Sequence, residues 1–161
     1  MSDQTDRERG DDRLLQLAQF LREYVPPDRF SMATYLRGRH YELEAEKCRS
    51  TACAVGWCAA VFPEHWTYEW QDSYAPVLRS KAVTRPDEVK RSLVYNRCHS
   101  SALEFFDLTD MEFDYLFGER NERDPYEEAE VLTLFVQDNR EIPDDWEDDY
   151  YDNENEDEGW C

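Results

Sequence analysis

The last 61 residues of this 161-residue chain have very few basic side chains. Residues 101–161 carry 23 of the 38 acidic residues but only three of the 18 lysines and arginines, whereas residues 1–100 are neutral. The formal net charge of -20 therefore belongs to the C-terminal part. Direct binding to nucleic acid or to an anionic membrane needs cationic side chains, so the charge argues against both and predicts a basic protein partner.

Long hydrophobic runs are also missing. The longest candidate is Ala52 to Phe62, which is too short to span a bilayer and predicts a buried core helix. Residues 1–10, MSDQTDRERG, are polar throughout and have no apolar stretch of the kind that a secretory signal needs. We therefore expect a cytoplasmic protein, in the host cytoplasm if a phage encodes it.

Signature motifs of common enzymes are absent. The sequence has no serine elbow, no glycine-rich phosphate loop, no dinucleotide fingerprint and no two-histidine metalloprotease helix. With 38 carboxylates, chance proximity selects no acid–base pair. We predict a non-enzymatic protein that has no cofactor.

The cysteines suggest one alternative. Cys48, Cys53 and Cys58 follow at five-residue intervals, and Cys98 precedes His99. Structural zinc sites usually use closer pairs, and residues five apart on a helix point about 140° away from each other. Small core thiols are the simpler interpretation, with no metal bound. A metal- or thiol-dependent intracellular protein centred on Cys48, Cys53 and Cys98 stays open as the alternative.

The division of the chain follows its composition. Hydrophobic residues make up 40% of the sequence and argue against general disorder. We predict a flexible N-terminus at 1–10, one globular domain at 11–140 and an acidic disordered tail with interspersed aromatics at 141–161.

Capping residues and prolines predict a mainly helical α+β fold of about five helices, with a small aromatic-faced strand or hairpin. Trp66, Tyr68 and Trp70 alternate as in a strand. Pro26-Pro27 and Pro63 should end the first two helices. The expected helix starts are Asp11 or Asp12, Ser50 or Thr51, Thr84, Ser100 or Ser101, Thr109 and Asp124.

The C-terminal carboxylates form the candidate partner-binding set. Repeated along helices and continued into the tail, they could occupy a groove that binds phosphates, while aromatic side chains anchor the contact. A solvated helix face with a solubilising tail is the alternative. The set is Glu104, Asp107, Asp110, Glu112, Asp114, Asp144, Asp145, Trp146, Glu147, Asp148, Asp149, Tyr150 and Tyr151.

Two segments, CRSTACAVGWCAAVFPEHW and FFDLTDMEFDYLFG, resemble a family of small uncharacterised proteins of bacteriophages and actinobacterial genomes. The resemblance covers roughly residues 28–118, and Arg49 stands where glycine is common. It implies a phage or mobile-element setting without an assigned activity. The matching positions are Cys48, Ser50, Thr51, Cys53, Gly56, Trp57, Pro63, Glu64, Phe106, Asp107, Leu108 and Phe117.

Small acidic phage proteins resemble, as a class, inhibitors of host nucleic-acid enzymes. These include anti-restriction, anti-CRISPR and glycosylase-inhibiting proteins, and several of them mimic the charge of DNA. The resemblance therefore implies an acidic anti-defence inhibitor, a DNA mimic that acts through protein–protein interaction. A phage structural or assembly component is the further alternative.

Overall fold

The described part of the chain contains five α-helices, two 3₁₀ helices at Pro27–Arg29 and Arg79–Lys81, and one short antiparallel strand pair. The computed structural model describes residues 4–32, 53–68, 75–82, 91–118 and 121–146, and only the backbone of 91–96. The mainly helical α+β fold predicted from the sequence is confirmed. The elements are α1 (Asp6–Tyr24), α2 (Ala54–Val61), β1 (Trp66–Thr67), β2 (Val77–Leu78), α3 (Arg91–Phe106), α4 (Asp110–Phe117) and α5 (Pro125–Gln137).

Helix α1 begins earlier than predicted. Thr5 is its N-cap: its Oγ1 accepts from the Glu8 amide at 3.2 Å, and Glu8 Oε2 accepts from the Thr5 amide at 2.8 Å. This reciprocal capping box satisfies two backbone donors, so the helix starts there. The prediction of an N-cap at Asp11 or Asp12 is wrong, and α1 includes residues 6–10, which were assigned to a flexible N-terminus.

The end and the buried face of α1 agree with the sequence. The helix stops at Tyr24, before the two prolines, as predicted. Leu14, Leu17, Ala18 and Leu21 recur at helical spacing and are buried.

Helix α2 is the apolar core helix, but it begins at Ala54 with Cys53 as its N-cap rather than at Ser50 or Thr51. Those two residues lie outside the described part of the chain. The helix ends before Pro63, as predicted. Tyr68 Oη donates to the carbonyl oxygen of Gly56 at 2.8 Å, so the residue after β1 packs closely against this helix.

The strand pair is shorter than the aromatic alternation suggested. Trp66 pairs with Leu78 and Thr67 with Val77 in antiparallel register. Trp66 and Tyr68 are buried, in agreement with one aromatic face, whereas Trp70 lies outside the described residues.

Helix α3 runs without a break through Ser100 and Ser101, so the prediction of a new helix there is wrong. Ser101 is buried, and its hydroxyl accepts from the Leu78 amide at 3.1 Å. The Ser101 hydroxyl therefore binds the backbone of β2 instead of capping a helix. The start predicted at Thr84 lies outside the described residues.

Helices α4 and α5 begin where their capping boxes predict. Thr109 and Glu112 cap α4, while Asp124 and Glu127 cap α5 with Pro125 in its first turn. Helix α4 ends at Phe117, and Gly118 is its C-cap.

Aromatic rings join the helices in one core. Phe105 stacks edge-on with Phe62 at 5.0 Å and with Trp66 at 5.6 Å between ring centroids. Phe106 continues the cluster to Phe117 of α4. Helices α1 and α5 pack extensively against each other. The core thereby fixes α4 and α5, which carry six of the 23 acidic residues after position 100.

Candidate partner-binding surface

Three of the predicted partner-binding carboxylates lie on the surface near the join of α3 and α4. Glu104 is exposed and forms an ion pair with Lys81 at 2.8 Å. Asp110 is exposed and lies 3.4 Å from His99 Nε2. Two of the three acids therefore already have a cationic or titratable neighbour, which reduces the charge that they offer to a partner.

Asp107, the third exposed carboxylate, lies at the C-terminus of α3. It follows the last residue of α3 with φ of 51°, and the next amide, that of Leu108, donates to the Leu103 carbonyl at 2.9 Å. This is the hydrogen-bond pattern of a helix C-terminus closed by a left-handed residue. Its side chain is free to face solvent, but its backbone has a structural role.

Glu112 is not available to a partner, and this part of the prediction is wrong. Its side chain is buried, and its Oε2 accepts from the Thr109 amide at 2.8 Å. Its carboxylate also lies 3.6 Å from Arg7 and 3.9 Å from Arg140. The capping box and two arginines occupy both oxygens.

Asp114 is half-buried, and Asp144 and Asp145 are exposed. Glu147, Asp148, Asp149, Tyr150 and Tyr151 lie outside the described residues.

Trp146 belongs to the folded body. Its ring meets Tyr115 of α4 edge-on at 5.3 Å, and its amide donates to the Pro143 carbonyl at 3.0 Å. Ile142 also packs against the core. Ile142 and Trp146 therefore contact the domain, past the boundary predicted at residue 140. A partner that used Trp146 as an anchor would have to compete with Tyr115.

Arg140 is a cation withdrawn from the surface. Its guanidinium is 1% exposed, with Nε 2.7 Å from Asp11 Oδ1 and Nη2 3.0 Å from the Phe106 carbonyl. It also donates to the carbonyls of Asp107 and Arg7. One side chain thus closes the C-terminus of α3 and ties it to α1 and to the end of α5.

Arg123 is withdrawn in the same way. Its Nη1 donates to Glu128 Oε2 at 2.9 Å, and its guanidinium also reaches the carbonyls of Tyr115 and Leu116. Glu128 is fully buried, and its Oε1 has no hydrogen-bond partner. Desolvation raises the pKa of Glu128 to about 7, although Arg123 opposes the shift.

The outward face of α5 remains acidic as a result. Arg123 and Arg140 are the two described basic residues after position 100, and both face inward, while Arg120 lies outside the described residues. Exposed carboxylates follow the helix with no ion pair among the described residues. They are Glu127, Glu130 and Asp138.

Apolar side chains share this face. Tyr126 is 50% and Leu134 is 47% exposed, and they lie eight residues apart with Glu130 midway. Residues four apart occupy one side of a helix. We define the α5 outer face as Tyr126, Glu127, Glu130, Leu134, Gln137 and Asp138.

The α5 outer face was missing from the residues predicted to bind a partner. A helical projection from Pro125 could have found it, because the apolar stripe Ala129, Leu132 and Phe135 fixes the opposite side. The inward turn of Arg123 and Arg140 has no comparable signal, since their partners lie on other elements or depend on burial.

The cysteine alternative gains little from the geometry. Cys53, Cys58 and Cys98 are buried free thiols, and Cys48 lies outside the described residues. Burial raises the pKa of Cys53 to about 12 and raises that of Cys58 well above its usual value. Within the described ranges, no group of three or more His, Cys, Asp or Glu side chains could hold a metal ion.

No helix in the described segments has the length and apolarity needed to cross a membrane. Comparisons of the chain with protein-family models, with curated proteins and with solved structures gave no significant match. The resemblance of residues 28–118 to the phage and actinobacterial family stays a prediction.

Proposed function

We propose that this chain is a non-enzymatic acidic inhibitor that binds the basic, nucleic-acid-binding surface of a host enzyme, as an anti-defence protein of a phage or mobile element. One observation carries the proposal. The guanidinium groups of Arg123 and Arg140 form ion pairs within the fold, while the carboxylates of the α5 outer face stay exposed. The surface of this region is therefore more uniformly negative than its composition requires.

The physical basis is competition for the same cations. A nucleic-acid-binding groove arranges lysine and arginine against one negative charge per about 1.7 Å of duplex. Carboxylates held on packed helices can meet those side chains without first being ordered. Long-range attraction between opposite net charges speeds the encounter, and salt screens it.

The state of two buried cysteines in the described part of the chain supports the non-enzymatic part of the proposal. Nucleophilic cysteines react as thiolates, and burial disfavours that form at Cys53 and Cys58.

The test is capture from a bacterial lysate on immobilised full-length protein, followed by elution with a duplex DNA oligonucleotide. We expect basic nucleic-acid enzymes in the DNA eluate, and less of them as salt rises from about 50 to 200 mM. If duplex DNA fails to displace the captured nucleic-acid enzymes, the result would contradict charge mimicry.

A matched pair of variants assigns the surface. The triple variant Glu127→Gln, Glu130→Gln, Asp138→Asn removes three charges from the α5 outer face and should lose most of the capture. The control Asp12→Asn, Glu23→Gln, Glu64→Gln removes three exposed charges elsewhere and should retain it. Equal loss in both variants would mean that net charge alone acts. A truncation after Trp146 separates the contribution of the last 15 residues.

A further inference from the structure

The α5 outer face combines charge with two exposed apolar anchors, and this combination limits the partners that fit it. Tyr126 and Leu134 are two of the four large hydrophobic side chains that are exposed in the described part of the chain. Eight residues of helix separate their Cα atoms by about 12 Å along the axis. Glu130 lies between them, and Glu127 and Asp138 lie along one edge of the same face.

The helix that carries these side chains is firmly held. Its opposite side, Ala129, Leu132 and Phe135, is buried, and α5 packs extensively on α1. The Asp124 capping box fixes its first turn, with Asp124 Oδ1 accepting from two amides at 2.8 Å. A surface that is already ordered loses little conformational entropy when a partner binds.

Charge alone does not account for the composition of this face. A purely cationic groove would pair with the three carboxylates and leave Tyr126 and Leu134 without an apolar contact. Aromatic and aliphatic anchors with a charged surround are the usual arrangement at the centre of a protein–protein contact. The complementary surface therefore needs an apolar stripe with cations in its middle and along one edge.

We propose that the α5 outer face docks a basic amphipathic helix of the partner, with Tyr126 and Leu134 against its apolar stripe and Glu127, Glu130 and Asp138 against its lysines or arginines. Two turns of a partner helix match the separation of the anchors. The inference rests on the proposed function and narrows it, because helices that contact nucleic acid present lysine and arginine on their exposed side.

Two synthetic peptides of equal charge test the docking, with the full chain as the binding protein. One is a helical lysine–leucine peptide with a leucine stripe, and the other is an oligolysine of the same charge. We expect the amphipathic peptide to bind full-length protein at least ten-fold more tightly than oligolysine, measured by titration calorimetry at about 150 mM salt. Equal affinities would overturn the proposal.

The double variant Tyr126→Ala, Leu134→Ala should remove this preference, with about a ten-fold loss for the amphipathic peptide and a change of less than about two-fold for oligolysine. The matched control is Leu15→Ala, Tyr24→Ala on α1, which changes the other two exposed large hydrophobics and should leave both affinities unchanged. An unchanged preference in the double variant, or an equal loss in the control, would overturn the proposal.

Circular dichroism checks that the variants fold, and Leu134→Gln provides a helix-compatible second substitution in case the alanine pair does not. This variant should lower the affinity for the amphipathic peptide and leave the affinity for oligolysine unchanged. If the peptide preference is absent but DNA still displaces captured proteins, the docking proposal fails and the proposed function stands. If the peptide preference is present but DNA displaces nothing, the inhibitor function fails and the docking face stands.

Discussion

Arg140 Nε lies 2.7 Å from Asp11 Oδ1, so a contact between residues 129 positions apart joins the first helix to the end of the last. The same guanidinium fills the carbonyl-lined end of α3 and lies 3.9 Å from Glu112. This contact explains why Arg140, one of three arginines in the acidic region, does not neutralise the surface. It also makes Arg140 a central structural residue of the fold.

Replacing Arg140 should therefore destabilise the whole protein. Arg140→Ala leaves Asp11 and several carbonyls without their donor and Glu112 without one of its cationic neighbours, and breaking a buried ion pair typically costs about 3–5 kcal/mol. Urea unfolding followed by circular dichroism measures the free energy of unfolding. Arg22→Ala, at an exposed position of α1, is the control and should change it by less than about 0.5 kcal/mol. A similar small change for both variants would contradict the buried role of Arg140.

Gly10 provides a test in which helix propensity and packing predict opposite signs. Alanine is favoured over glycine by about 1 kcal/mol inside a helix. A methyl group at this position would, however, overlap the Phe106 carbonyl oxygen and lie 2.8 Å from Arg140 Nη2. We expect Gly10→Ala to lower the melting temperature, since overpacking costs about 1–3 kcal/mol. Gln16→Ala, on the exposed side of α1, should leave it unchanged or raise it slightly.

Glu128 should make stability depend on pH in a defined direction. Its pKa in the folded protein is about 7, against 4.5 for an ordinary glutamate, so between these values the folded state binds a proton that the unfolded state has lost. Its contribution to stability is complete below about pH 4.5 and declines as the pH rises to about 7. Burial raises this pKa, and the ion pair and hydrogen bond with Arg123 oppose the shift.

Glu128→Gln removes this titration. We expect the stability of the wild type, relative to that of the variant, to fall by up to about 3 kcal/mol between pH 4.5 and 7, as measured by denaturant unfolding at a series of pH values. Glu130→Gln, an exposed neighbour on the same helix, should show no such change. A parallel pH dependence in wild type and Glu128→Gln would contradict the raised pKa.

The C-terminal boundary can be tested by two truncations. Deleting 142–161 removes Ile142 and the Trp146 ring that contacts Tyr115, whereas deleting 147–161 keeps both. We expect the longer deletion to unfold more easily than the shorter one by about 1–3 kcal/mol, the usual gain from burying side chains of this size. Thermal melting of both proteins at one salt concentration measures the difference. Equal stability would return the boundary to residue 140.

Local signals predicted much of the fold. The capping boxes at Thr109 and Asp124 and the stops at Pro26 and Pro63 were found from the sequence because each acts within one helical turn. The errors have a common origin. Asp11 and Ser101 look like helix caps, but distant residues use their side chains, Arg140 in the first case and the Leu78 amide in the second.

The candidate surface shows the same division. Charge segregation was visible in the sequence, and so was the exposure of Glu104, Asp107 and Asp110. The burial of Glu112 was not visible, because its carboxylate contacts Arg7 and Arg140 on other elements as well as capping its own helix.

By itself the sequence determined the class of the fold, the apolar core helix and the placement of the whole net charge after residue 100, since composition and short-range periodicity decide these properties. The tertiary structure alone decided which charges reach solvent. Burial makes an unpaired ion costly, so Arg123 and Arg140 are matched by internal acceptors from other elements, and the exposed carboxylates of α5 keep their charge.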